Sequence, residues 1–161
     1  MAAGSTYSTI ATTTLGSAQS SVTFSSLGSY TDIIIIVKGY QSIDDNVLMR
    51  FNSDTGANYS STTIFGSGSA ASSFRSTGAT SIQLGGLFTS DNGNAIYHLM
   101  NYSNSTTYKT VLARANAAGS GTQARVGLWR STAAITSVTM LTGSGNFQTG
   151  STFTLYGITA A

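Results

Sequence analysis

Apolar and polar residues alternate along most of this chain with a period of two. Val47, Met49 and Phe51 alternate with Leu48, Arg50 and Asn52, and Ile82, Leu84 and Leu87 mark one face of residues 81–88 around Gly85-Gly86. That period puts successive side chains on opposite faces of a β-strand. Residues 33–37 break the rule by being apolar at every position, which predicts a central strand covered on both faces. Further short strands are predicted over 21–24, 59–65 and 125–130, and a hairpin is predicted from 95–102 and 109–115. Turn-forming groups punctuate them: Leu27-Gly28-Ser29, Asp44-Asp45-Asn46, residues 54–58, Asp91-Asn92-Gly93-Asn94 and residues 117–121. Residues 66–78 are small and polar, and are expected to form a mobile surface loop.

Two strands joined by a turn are expected near the C-terminus. Ile135, Val138 and Met140 supply the apolar positions of the first, and Phe153, Leu155 and Tyr156 those of the second. Gly143-Ser144-Gly145-Asn146 and Thr149-Gly150-Ser151 lie between them. The chain thus carries about ten short strands and no helical pattern, which predicts an all-β fold, an antiparallel β-sandwich of jelly-roll type. Residues 17–161 form its single domain. Residues 1–16 are expected to be an N-terminal extended arm or a weak first strand.

Composition agrees with a strand-rich chain. Serine (26), threonine (25) and glycine (18) dominate, while charged residues are 7% against roughly 25% in an average domain. Disordered linkers share that polarity, but they lack the β-branched and aromatic residues that run through this chain. A chain of 161 residues is long enough for one real core. Proline is absent, so sheet edges lack one of their usual defences. Covering of those edges by partner subunits is therefore expected.

The seven basic residues are scattered, without the cluster that phosphate binding needs, so no nucleic-acid partner is expected. Cysteine is absent, which removes disulfides and thiolate chemistry. The N-terminal residues lack the basic and apolar regions of a signal peptide, and the apolar run at 33–37 is too short to span a bilayer. A cytoplasmic site of synthesis and no membrane partner are expected.

Candidate chemistry is sparse. His98 is the only histidine and has apolar neighbours, so a buried or interface position is expected rather than catalysis. The acids are Asp32, Asp44, Asp45, Asp54 and Asp91, and there is no glutamate. Paired carboxylates facing across a cleft are not evident in the spacing, and the loops at 44–46 and 54–58 lack the bidentate glutamate of a calcium loop. These residues are expected to shape turns, with no metal or other cofactor bound. Trp129 has two readings: a sugar-stacking platform, or a core or interface anchor beside Arg130, and the second is preferred. No enzyme activity is expected.

The C-terminal block resembles that of small β-sandwich virion proteins of tailed bacteriophages. Residues 127–137, GLWRSTAAITS, and 145–158, GNFQTGSTFTLYGI, carry the resemblance, together with residues 48–60. It implies a virion structural protein assembled in the host cytoplasm, most simply a capsid decoration or cement protein. Partners would be further copies of the chain, as a trimer by analogy with other jelly-roll proteins, and the major capsid protein. Trp129, Arg130, Tyr156 and His98 are the expected interface residues. The alternative is a tail-fibre or baseplate module that grips host glycans.

Overall fold

The computed structural model describes residues 6–87 and 93–159, and among them there are twelve strands and no helix. The strands form two antiparallel sheets packed face to face, a β-sandwich. The small sheet contains β2 (Ser21–Phe24), β4 (Asp45–Phe51), β7 (Ile82–Leu87) and β11 (Val138–Thr142) in the order β2-β11-β4-β7. The large sheet holds β1 (Tyr7–Thr14), β3 (Asp32–Gly39), β5 (Tyr59–Gly66), β6 (Ala71–Ala79), β8 (Gly93–Leu99), β9 (Lys109–Ala117), β10 (Gly121–Trp129) and β12 (Thr152–Ile158). Its order is β1-β12-β3-β8-β9-β10-β5-β6.

Alternation builds the core between the sheets. Ile33, Ile35 and Val37 of β3, Tyr97 and Leu99 of β8 and Phe153 and Leu155 of β12 point inward from the large sheet. Val47, Met49 and Phe51 of β4 and Ile82, Leu84 and Leu87 of β7 meet them from the small one. The glycine at 127 belongs to this packing. A Cβ there would collide with the Ile82 side chain, so β10 and β7 approach closely only because position 127 carries none.

Several expectations are corrected. The run at 33–37 is not covered on both faces: Ile36 stands out of the large sheet and is exposed. Residues 66–78 are mostly not a loop, since β6 begins at Ala71 and pairs along β5 from Gly66↔Ala71 to Tyr59↔Ala79. Almost every β6 position is exposed, so no apolar alternation marks it in the sequence. The C-terminal strands do not pair with each other. β11 lies between β2 and β4, whereas β12 lies between β1 and β3. The intervening loop passes between the sheets and is held by Phe147, which is buried, bridges to Gln19 and Gln41, and packs edge-on against Phe153 at 5.0 Å. Its glycines allow the turns, but burial of Phe147 sets the path. Asp91 and the residues beside it lie outside the described residues, as do residues 1–5 of the proposed arm. Within that arm, Tyr7–Thr14 is strand β1, paired with β12 from Tyr7↔Ile158 to Thr14↔Thr152.

Candidate functional site: the outer face of the large sheet

Cross-strand register brings side chains far apart in sequence into rows. On the outer face one row reads Tyr156, Ile34, His98, Leu112, Val126, Thr62 and Arg75 across β12, β3, β8, β9, β10, β5 and β6. The next row places Ile36, Ile96, Arg114, Ala124 and Ile64 side by side. The aliphatic members are open to solvent: Ile64 is 63% exposed, Leu112 46%, Val126 42%, Ile36 40% and Ile96 37%. Single exposed apolar residues are ordinary, but a set joined by register across five neighbouring strands is a patch. A depression of about 310 Å³ lies among Ile96, His98, Leu112, Arg114 and Ala124. Another, of about 250 Å³, lies among Thr62, Arg75, Val126, Leu128 and Arg130.

Three of the four expected interface residues share this face. His98 Nε2 lies 2.9 Å from Asp32 Oδ2, and Asp32 Oδ1 accepts the Asn101 backbone N–H at 2.7 Å. The pair is an ion pair only when the imidazole is protonated. Tyr156 is half-buried beside Ile34, and the Arg130 guanidinium donates to Ser60 Oγ.

Trp129 is not on the face: it lies in the core, one of the two places its reading as an anchor allowed, rather than at the expected surface interface position, and its indole is not open as a sugar platform needs. It is 2% exposed, with its indole stacked on Tyr59 at 6.3 Å and tilted against Phe51 at 5.4 Å. The period-two pattern of β10 explains this, because Gln123, Arg125, Gly127 and Trp129 all point inward. The indole Nε1 donates to Asp54 Oδ2 at 2.7 Å. Asn58 Nδ2 donates to the same oxygen, and the Gly56 N–H to Oδ1. The indole bond first, and then that from Asn58, hold the Asp54 carboxyl below its usual range. Through the Gly56 N–H the Asp54 carboxylate shapes the turn at residues 54–58, the role expected of it. Asp45 is engaged too, accepting the Ser144 hydroxyl at 2.7 Å. Among the described residues no group of three or more His, Cys, Asp or Glu is arranged to hold a metal ion.

Two inward cations escaped the reading of the sequence. Arg125 is buried, donates from Nε and Nη2 to Gln123 Oε1 and from Nη2 to Asn46 Oδ1, and lies 5.4 Å from the Phe74 ring centroid. Burial lowers its pKa to about 10, which still leaves it charged at neutral pH. Lys109 is also buried, and its ammonium donates to the carbonyls of Thr107 at 2.7 Å and Thr132 at 3.1 Å. Desolvation pushes its pKa down. Phase was the available signal, since both residues alternate in step with Ala113, Val111 and Trp129. Inward cations are rare enough that charge argues against phase.

No protein-family model matches the chain, no curated protein is similar to it, and no solved structure matches it.

Proposed function

We propose that this protein is a structural component of a tailed-phage virion, a capsid decoration or cement protein that associates with further copies of itself and binds the capsid shell. One observation carries the reading: an aliphatic patch, set out in register over the large sheet, stands open to solvent on an otherwise well-packed sandwich. Patches of that kind mark protein interfaces. The resemblance of residues 127–137 and 145–158 to virion proteins supplies the setting. The jelly-roll assignment belongs to the same proposal. It rests on the pairs β2 with β11, β4 with β7 and β5 with β6, and on the chain's repeated passage from one sheet to the other. In this reading β8 and β9 are a hairpin added between β3 and β10. Association as a trimer follows the analogy with other jelly-roll proteins.

The competing reading, a tail module for host glycans, has less support once Trp129 is buried and its indole stacks on Tyr59. Exposed aromatics remain, such as Tyr108, but not in a row. The copy number of the polypeptide in purified virions, measured by quantitative mass spectrometry, separates the two. A simple ratio to the major capsid protein is expected. A handful of copies per particle would move the protein to the tail, and absence from particles would end both readings.

A further inference from the structure

Charge is distributed unevenly over this molecule, and the outer face of the large sheet receives most of the exposed positive charge. Lys38 of β3, Arg75 of β6, Arg114 of β9 and Arg130 at the end of β10 are all exposed on that face. They surround and interleave the aliphatic patch: Arg114 stands between Ile96 and Ala124, and Arg75 closes the row that contains Leu112 and Val126. Neither Lys38 nor Arg114 has a polar or ionic side-chain partner among the described residues, whereas Arg75 and Arg130 hold only hydroxyls, those of Thr62 and Ser60. The one carboxylate described on the face, Asp32, is engaged by His98 and the Asn101 N–H. Asp44, Asp45 and Asp54 lie in β4 or its flanking loops, in the other sheet.

We propose that this face docks onto a different protein whose surface is apolar at the centre and rich in carboxylates around it. A second copy of the chain is a poor occupant. Two such faces brought together would set arginine against arginine, and like charges held in apposition cost several kcal/mol. The acidic side of another copy offers little either, because Asp45 and Asp54 are already bound within the chain. Nucleic acid is also a poor fit. The patch is mainly aliphatic, with Tyr156 and the Asp32-bound imidazole of His98 the aromatic rings of the central row, whereas single-stranded nucleic acid stacks on runs of exposed aromatics. An apolar patch with arginine in and around it and little acidic charge fits a protein interface, where arginine is enriched and Asp and Glu are depleted. The proposal rests on the virion reading only for the partner's identity: there, the partner is the capsid shell, and contacts between copies fall to other surfaces, such as the exposed edge strand β6.

Lys38 reports on the face, because a zero-length carbodiimide joins a lysine amine to a carboxylate in direct contact. Purified particles and infected-cell lysate are treated with the carbodiimide, and separately with an amine-acetylating reagent, and Lys38 is followed by mass spectrometry against the free protein. The expected result is at least a fivefold loss of Lys38 acetylation in particles and a Lys38 conjugate to an Asp or Glu of another polypeptide. Binding of the purified chain to particles lacking it should fall at least tenfold for Arg75→Glu/Arg114→Glu, with melting temperature and oligomeric state unchanged. A shielded Lys38 joined to a tail protein, or shielded only in lysate from which particles have been removed, would leave the docking standing and overturn the capsid reading. Equal acetylation of Lys38 in bound and free protein, a conjugate only to Asp45 or another acid of a second copy, or unaltered binding by the double variant would overturn the docking and leave the virion reading in place.

Discussion

Trp129 illustrates how one side chain serves both the core and a loop. Its ring closes a triangle of aromatic rings with Tyr59 and Phe51, while its N–H reaches the Asp54 carboxylate that organises residues 54–58. Tyr59 strengthens the same junction by donating to the Asp54 carbonyl at 3.1 Å. Trp129→Phe keeps an aromatic ring and removes the donor, so a loss of about 1–3 kcal/mol at pH 7 is expected from urea unfolding. Acid should reduce the difference. The folded-state carboxyl titrates below its ordinary range, so its stabilisation is complete above the unfolded value near pH 4 and disappears as pH falls through the folded one. Wild type and variant should therefore converge as the pH falls below about 4. An equal difference at pH 7 and at the acid end would mean that the indole–carboxylate bond contributes nothing and that the loss is packing alone.

The elements are joined by a few polar residues that sit at sheet crossings. Asn52 and Ser53 both have positive φ, 51° and 57°, in the tight turn closed by the Asp54 N–H on the Phe51 carbonyl. Asparagine tolerates that conformation better than most residues. From there Asn52 Oδ1 accepts the N–H groups of Thr136 and Ser137 and the Thr136 hydroxyl, and Nδ2 donates to the Ala134 carbonyl. It thereby ties the end of β4 to the segment that enters β11, the strand beside it. Asn52→Ala strips three donors of their acceptor and strains the turn, and a loss of about 2–4 kcal/mol is expected in urea unfolding. Asn52→Asp keeps the acceptor and should recover part of that loss. A cost below about 1 kcal/mol for the alanine would indicate that water replaces the side chain at this crossing.

Over the whole molecule, the two sheets differ in what their outer faces offer. The large sheet turns its aliphatic rows to solvent, so the isolated chain gains little from them. Leu112→Ser should change the melting temperature of the free protein by under about 2 °C, since surface substitutions fall within roughly ±0.5 kcal/mol. The same change should weaken association through the face at least tenfold, read by co-sedimentation with particles. A melting temperature that falls by several degrees at a protein concentration where the chain is oligomeric, but not when it is monomeric, would instead assign Leu112 to the contact between copies.

The period-two pattern determined on its own that the chain is all-β, that it is a sandwich, and which residues form the inner faces of β4 and β7. Local sequence suffices there because an inward apolar side chain is stabilised by burial in nearly any sandwich that accepts its phase. The pattern did not reveal β6, whose positions are nearly all exposed, and it placed β11 and β12 together although they lie in different sheets. Neither could be read locally: an exposed edge strand is held by backbone hydrogen bonds to its neighbour, and strand partnership depends on where other segments lie. His98, Tyr156 and Arg130 were identified as candidates one at a time, because the face they share exists only once register is set, and local sequence did not decide whether Trp129 anchors the core or an interface. Four strands, β3, β8, β9 and β10, align Ile34, His98, Leu112 and Val126 in one row. That alignment, with the four cations around it, is a property of the tertiary structure alone.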